Sequence, residues 1–477
     1  MTELNTGRSD YEERRRQWLE AVAASRDSRP RDASLYRNTV RELLQRLIMP
    51  GARVLDIAAG TGDLLASVAP RYGVGIEQSQ LLCQAARSRH PDLHFINAAA
   101  ENVELNESFD YVIASDVIPD CFDVESFLAG LRNVCAPETR VILTHCSQVW
   151  RPLLKLCRKV GLAKPRFGTT WFSPADMRSA FRSAGFEVIR ETTETLLPFK
   201  VPLVSAAANR IIARLPLFRG LCLHHVYVAR IEPQRMTPPP RVSVIIPARN
   251  EAGNVERILR EIPQMGAETE IIFVEGNSTD NTWEVLQNAV AAKNDPLIRL
   301  LKQTGRGKAD AVRTGFAAST GDILMILDAD LTVPAEMLPR FYQAIVSGKA
   351  EFANGTRLVY QMDDKAMQFL NLIANHCIAW AFTFVLGQPV RDTLCGTKAL
   401  PKKAYNNIVA NREYFGDFDP FGDFDLLFGA ARLNLRIMDI PIRYRERVYG
   451  ETNINRFRHG WLLFRMLGVA ALKLKFA

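Results

Sequence analysis

Between residues 232 and 241 the chain reads EPQRMTPPPR. Three consecutive prolines can continue neither a helix nor a central strand, and they favour an extended, semi-rigid spacer. On each side of this break, short apolar runs rich in β-branched residues alternate with helical patterns. Before it the runs are 53–57, 72–77, 94–97, 111–114 and 140–144; after it they are 242–246, 270–274, 298–301 and 323–327. Such alternation predicts βαβ units and a mostly parallel sheet on each side. The chain of 477 residues, 47% of them hydrophobic, is long enough to give each side its own core. Two α/β domains are therefore expected, 35–232 and 241–477, with a linker at 233–240 and a polar extension at 1–34. Ligands on sheets of this kind bind beyond the carboxyl ends of the strands.

The rest of the composition mainly excludes. Eight cysteines sit singly, with no Cys-x-x-Cys pair, so neither a zinc ribbon nor a disulfide framework is expected. Reduced thiols fit a cytoplasmic protein. The first 30 residues carry Arg14, Arg15 and Arg16 but no apolar core, so they are not a secretory signal. The net charge of +8 favours anionic partners such as phosphates, nucleotides and acidic lipid surfaces. The basic residues form no stripe interleaved with aromatics, and no nucleic-acid partner is expected. No apolar stretch is long enough to span a bilayer. Segments 371–387 and 461–477 come nearest, and the second, with Arg465, Lys473 and Lys475, reads either as a buried amphipathic helix or as one lying in a membrane interface. A peripheral position at the cytoplasmic face of a membrane is the corresponding expectation.

In the first half, RVLDIAAGTGD (53–63) is a buried strand followed by a turn in which Gly60 and Gly62 let the backbone approach a ligand. About twenty residues on, a second strand ends in Glu77, where a carboxylate can bind the ribose hydroxyls of an adenosine ligand. The G-T-G spacing differs from the G-x-G-x-x-G of dinucleotide enzymes. With FDYVIASDVI (109–118) and WFSPADMRSAFRSAGFEVI (171–189), this constellation resembles class I S-adenosylmethionine-dependent methyltransferases. The resemblance implies a Rossmann-like fold with S-adenosyl-L-methionine as cofactor. It puts Asp56, Gly60 and Gly62 around the methionine and ribose portions and Glu77 on the ribose. In NAAAENVEL (97–105), Ala99 stands where the family often has the Asp that binds the adenine amino group. Asp116 is the next polar residue at a strand end. His90, His94, His145, His224 and His225 show no metal spacing, and His145 draws interest only because it follows the strand 140–144.

In the second half four motifs follow in order. VSVIIPARNEAGN (242–254) is a strand ending in a polar turn, with Arg249 and Glu251 in reach of a base and phosphates. EIIFVEGNSTDNT (270–282) is a strand ending in Glu275. QTGRGKADAVRTGF (303–316) is a glycine-rich loop whose Arg306 and Lys308 suit a diphosphate. ILMILDADLTVP (323–334) is an apolar strand that stops at Asp328 and Asp330. Two carboxylates flanking one small residue at a strand end can hold Mg²⁺ or Mn²⁺ through hard oxygen ligands. Such a metal neutralises charge on a departing nucleoside diphosphate.

Together the four motifs resemble family 2 glycosyltransferases of the GT-A nucleotide-diphospho-sugar transferase fold, closest to the dolichyl- and polyprenyl-phosphate sugar synthases. The resemblance implies a UDP- or GDP-sugar donor, with Pro247, Ala248, Glu251 and Glu275 at the nucleotide and Asp328 and Asp330 on the metal. Two departures are Glu-Gly-Asn-Ser (275–278) for the usual Asp-Asp-Gly-Ser, and Thr332 for the usual Gln or His. RDTLCGTKAL (391–400) matches the loop before the acceptor site, with Lys398 in a basic position. FGDFDLLFGA (421–430) holds Asp423 and Asp425, either of which could be the general base for a hydroxyl acceptor. RYRERVYGETNI (443–454) resembles a basic segment in which Arg445 and Arg447 grip phosphates. The expectation is a bifunctional glycosyltransferase and methyltransferase acting on a polyprenyl phosphate. The alternatives are transfer to a glycan hydroxyl with a non-catalytic first domain, and a binding protein with both sites inactive.

Overall fold

The computed structural model describes residues 2–24, 35–101, 103, 105–160, 167–168, 170–198, 201, 204–357, 359, 369–414, 422–445, 447, 449 and 456–476. The chain divides into two compact units, Met1–Pro233 and Gln234–Ala477. Each is built on a seven-stranded sheet.

In the first unit the strands are β1 (Arg53–Ile57), β2 (Tyr72–Glu77), β3 (His94–Asn97), β4 (Phe109–Ser115), β5 (Cys135–Cys146), β6 (Phe186–Glu194) and β7 (His224–Ile231). Their order across the sheet is β3-β2-β1-β4-β5-β7-β6. The first five run parallel, and β7 lies antiparallel between β5 and β6. Both faces are covered, and the two-residue period of a strand sorts its side chains between them. Leu55, Ile57, Val112 and Leu143 enter one core layer. Val54, Tyr111, Ile113 and Ile142 enter the other.

The second unit has β8 (Val242–Ala248), β9 (Thr269–Glu275), β10 (Ile298–Lys302), β11 (Ile323–Ile326), β12 (Phe352–Thr356), β13 (Lys398–Pro401) and β14 (Ile437–Pro441), in the order β10-β9-β8-β11-β13-β12-β14. β8 to β11 are parallel, and β13 is antiparallel to both of its neighbours. The same sorting holds. Val242, Val244, Ile246 and Phe273 pack on one side, and Ile245, Ile272, Val274 and Ile326 on the other. The ends of β8, β9 and β11 consequently fall on one edge of the sheet, which brings Glu251, Glu275 and Asp328 to that edge.

The segments outside the two sheets also pack. The polar extension is a 23-residue helix, Thr2–Ala24, that packs on the first unit. Segments 371–387 and 461–477 supply core residues: Phe382, Val385 and Leu386 from one, Leu463, Met466, Ala470 and Leu474 from the other. Among the described residues no helix is long and apolar enough to cross a membrane.

Candidate functional site

In the second unit, β11 ends at Ile326 and the chain turns through Leu327 to Asp328, Ala329 and Asp330. Lys308, at the start of the helix Lys308–Ala318, puts its Nζ 2.6 Å from Asp328 Oδ1. Asp330 is held from two sides. Thr332 donates its backbone N–H (3.1 Å) and its hydroxyl (2.8 Å) to Oδ1, and Arg447 donates to Oδ2 at 2.7 Å. Arg447 also lies 3.5 Å from Glu251 Oε1. Burial raises the Glu251 pKa first; Asn254 and Arg447 lower it, and Asp330 and Asp328 raise it again. Burial works against the Arg447 charge, but Asp330 and Glu251 more than offset it.

The carboxylates Glu251, Asp328 and Asp330 thus share one neighbourhood with two cations, Lys308 and Arg447. One negative charge is in excess, and the donor set is all hard oxygen, so these residues fit a divalent cation at Asp328 and Asp330. Asp328 and Asp330 keep 28% and 14% of their side chains exposed, so a ligand can reach them.

Three glycines show how later segments close on this site. A methyl group on Gly396 would overlap Asp328 Oδ2 and Lys308 Nζ, so the turn at Gly396 packs directly on that ion pair. One on Gly253 would meet the Tyr449 ring at 2.6 Å, which puts Tyr449 over the first motif. One on Gly422 would come 3.0 Å from Ala309 Cα, so the helix Asp423–Arg432 starts beside Lys308. The 391–400 loop is itself anchored. Asp392, almost fully buried, takes two charge-assisted bonds from Arg357 (2.6 and 2.9 Å) and two backbone N–H bonds from Arg357 and Leu394. Burial pushes the Asp392 pKa up, but Arg357 and these donors bring it below the usual carboxylate range.

The remaining expected residues divide. Pro247 is half-buried and Ala248 buried at the end of β8. Buried Glu275 accepts the Ser278 N–H at 2.5 Å, holding the turn after β9. Arg249 and Arg306 are exposed, and Arg445 pairs with Glu336 at 2.8 Å on the surface. Lys398 requires correction. It is wholly buried in β13 opposite Ile326, and its ammonium donates to the Cys395 carbonyl, so it props up the turn at Gly396 and does not face a ligand. Asp425 is buried and paired with Arg412 at 2.8 Å. Asp423 is the first residue of the same helix, its side chain lies outside the described residues, and so do 446, 448 and 450–454 of the basic segment.

In the first unit, Asp56 lies in β1 and is 2% exposed. Its Oδ2 has no hydrogen-bond partner among the described residues. Burial, and then the Glu77 charge, push its pKa up to about 8. Glu77 ends β2 and accepts N–H bonds from Gly60 and Ser79, each at 2.8 Å. Gly60 has φ +58°, and a methyl group there would meet nothing within 4 Å, so the turn after β1 leaves room above it. Gly62, at φ +76°, is closed in by Phe95. An orphaned buried carboxylate oxygen beside an open glycine turn fits a cationic nucleoside such as S-adenosylmethionine. Asp116 follows β4 with φ +57°. Cys146 Sγ lies 3.8 Å from its Oδ1 and 3.6 Å from His224 Nε2, so a carboxylate, a thiol and an imidazole meet beyond the strand ends. His145 is a core residue: it stacks on Tyr227 and His225, and burial lowers its pKa to about 4.

Sequence reasoning missed Arg15. From the N-terminal helix it reaches Gln78 Oε1 (2.8 Å), the Asp120 carbonyl (2.6 Å) and both oxygens of Glu101 (2.6 Å each). Gln78 follows Glu77, and Glu101 follows the 97–100 turn, so this guanidinium ties together the loops around the expected adenosine position. The signal available was an Arg-rich stretch in a segment with the composition of a surface tail.

Residues 243–409 match the family described as glycosyl transferase family 2, and residues 54–138 match the methyltransferase domain. The dolichol-phosphate mannosyltransferase of Pyrococcus furiosus is 37% identical over 220 residues, 45% of this chain and 59% of that protein. Glycosyltransferase AglJ of Haloferax volcanii is 26% identical over 231 residues, 48% of this chain and 71% of that one. Among solved structures, glucosyl-3-phosphoglycerate synthase from Mycobacterium tuberculosis, in complex with Mn²⁺, UDP and glucosyl-3-phosphoglycerate, matches 49% of this chain and 80% of its own. It does so at 20% identity and a TM-score of 0.37. A methyltransferase complex with the Trm112 activator from Haloferax volcanii matches 45% and 97%, at 18% identity and a TM-score of 0.35.

Proposed function

We propose, from the premise that the chain joins a methyltransferase domain to a family 2 glycosyl transferase domain, that it transfers a sugar from a UDP- or GDP-sugar to a polyprenyl phosphate. The observation that carries this reading is the cluster of Asp328, Asp330, Glu251, Lys308 and Arg447 at one sheet edge, with Gly396 packed against it. Asp328 and Asp330 would hold Mg²⁺ or Mn²⁺, which supplies Lewis-acid stabilisation of the leaving diphosphate. Lys308 and Arg447 neutralise the carboxylates in the free protein and are at hand for phosphate oxygens, for which a guanidinium fork is suited. Glu251 and the turn held by Glu275 border the nucleotide.

The acceptor follows from the bases on hand. A phosphate acceptor is already an anion and needs no general base, whereas a sugar hydroxyl does. Asp425, one of the two candidates, is committed to Arg412, which favours the phosphate acceptor. The name of the Pyrococcus furiosus relative, of which this chain spans 59%, points the same way. A lipid acceptor also requires the protein to reach a bilayer surface.

The first domain would bind S-adenosylmethionine between Gly60, Asp56 and Glu77, with Arg15 holding the neighbouring loops. Methyl transfer needs chiefly an in-line placement of the acceptor. Calorimetric titration tests both sites. UDP or GDP should bind the wild-type protein only with Mn²⁺ present, and Asp330→Asn should abolish that binding. S-adenosylmethionine should bind without metal, and Asp56→Asn should weaken it. Metal-independent nucleotide binding would refute the first assignment, and S-adenosylmethionine binding unchanged in Asp56→Asn the second.

A further inference from the structure

The first unit carries an apolar and basic surface that neither proposed site uses. The helix Arg151–Lys159 has no buried residue. Apolar positions in it and immediately flanking it nevertheless recur at helical spacing: Val149, Leu153, Leu156 and Val160 are 60%, 40%, 57% and 58% exposed. Positions spaced four, three and four apart share one face of a helix. A stripe that normally turns to the core here turns to solvent. Arg151, Lys155 and Lys159 occupy other faces and are exposed.

A second element adjoins it. The Trp150 ring N–H donates to the Leu221 carbonyl at 2.8 Å, and Ser147 N–H to the Leu223 carbonyl at 2.7 Å. This fastens the start of the helix to the 3₁₀ segment Pro216–Leu221. There Leu217 is 85% and Leu221 54% exposed, with Ile211 at 52% just before. Arg210 is exposed and Arg219 half-buried.

The charge pattern selects the partner. Residues 139–175 contain seven Lys and Arg and no Asp or Glu, and residues 195–231 contain five and none. These two segments carry more positive charge than the +8 of the whole chain, so the remainder is net acidic. Some of these cations, such as Arg140, Arg214 and Arg230, are buried; Arg151, Lys155, Lys159 and Arg210 are on the surface. Apolar side chains at one level with cations behind them are the pattern of a helix lying in a bilayer interface, drawn there by apolar burial and by anionic headgroups.

We propose that this face of the first unit, formed by Arg151–Lys159 and Pro216–Leu221, docks on an anionic lipid bilayer. The proposal stands on the exposure and charge of this surface, and does not depend on glycosyl transfer. It also differs from a membrane contact through the second unit, where Trp380, Phe464 and Leu472 are 67%, 61% and 69% exposed.

The test is flotation of the full chain with vesicles of phosphatidylcholine alone, or with about one third phosphatidylglycerol. The wild-type protein should float with the anionic vesicles, and the bound fraction should fall as salt rises. The double variant Leu156→Glu/Leu217→Glu should lower binding by about tenfold or more at unchanged circular dichroism and melting. Should that variant misfold, Lys155→Glu/Lys159→Glu, which alters only exposed charges, should lower binding to anionic vesicles alone. Three results would overturn the proposal: no flotation on any vesicle; flotation lost only in Trp380→Glu/Leu472→Glu; or self-association without lipid binding that Leu156→Glu/Leu217→Glu abolishes, which would make the face a protein interface.

Discussion

Asp56→Asn should make the first unit more stable near neutral pH, and the gain should grow as pH rises. In the folded protein Asp56 is buried, with an unpartnered oxygen and a pKa of about 8. In the unfolded chain a carboxyl titrates near 3.9. Between these values the folded state keeps a proton that the unfolded state has released. Stability is then full below the unfolded pKa and falls as pH rises, by about 1.4 kcal/mol per pH unit, until the folded pKa is passed. Asparagine has the same shape and does not titrate. From roughly pH 5.5 to 7.5 the difference between variant and wild type should therefore widen by about 3 kcal/mol. An unfolding entropy of about 2.1 cal/mol/K per residue, over a unit ending at Pro233, converts this to roughly 6 °C in Tm. Glu77, also raised, chiefly by burial, is present in both proteins and largely cancels. Scanning calorimetry of the full chain across this range, following the transition of the first unit, is the assay. A difference that stays flat between these pH values, or that narrows, would refute the claim that Asp56 is a buried carboxyl that keeps its proton in the free protein.

Three further perturbations have defined outcomes. Arg15→Ala leaves Glu101, 2% exposed, buried without its cation, and should cost about 3 to 5 kcal/mol, seen as a lower melting transition together with weaker S-adenosylmethionine binding; a wild-type melt would mean the N-terminal helix is not integral to the unit. Arg447→Ala removes the only described guanidinium on Asp330, and should lower kcat/KM for sugar transfer by roughly a hundredfold or more, with Arg447→Lys recovering little because an ammonium lacks the fork; full rescue by Lys would reduce Arg447 to a simple counter-charge. Gly396→Ala inserts a methyl group into Asp328 and Lys308, and should weaken Mn²⁺-dependent nucleotide binding by about tenfold or more without lowering Tm comparably; unchanged binding would show that this loop does not border the site.

The central parallel strands were legible because their residues are apolar and buried on both faces, and β3 at the edge by its central Phe-Ile pair. RVLDI, YGVGIE and HFIN fall on the strands they predict, and VSVII needs only Pro247 and Ala248 added. Strands β6, β7, β12, β13 and β14 were not anticipated. FANGT and KALP hold Gly, Asn, Lys and Pro, which strands disfavour, and they are ordered by pairing with neighbouring strands on both sides. Within the site, Asp328, Asp330, Lys308, Glu251 and Arg447 were found from their motifs, and the structure brings them together. Lys398 was read as a ligand-facing cation of the loop before the acceptor site; a two-residue period in a four-residue strand was too short to reveal that it is buried. Arg15 illustrates the converse limit. A polar helix with one buried guanidinium looks like a solvated tail until its partners, more than 60 residues away, are known.

The most direct test of the account is transfer of labelled sugar from UDP- and GDP-sugars to a polyprenyl phosphate in vesicles, with Mn²⁺ or Mg²⁺, comparing wild type with Asp330→Ala. The account predicts a lipid-linked product from one donor class, absent in that variant and absent when the metal is chelated. Metal-dependent consumption of the donor with no lipid product, but with transfer to a glycan hydroxyl that Asp423→Asn abolishes, would contradict it.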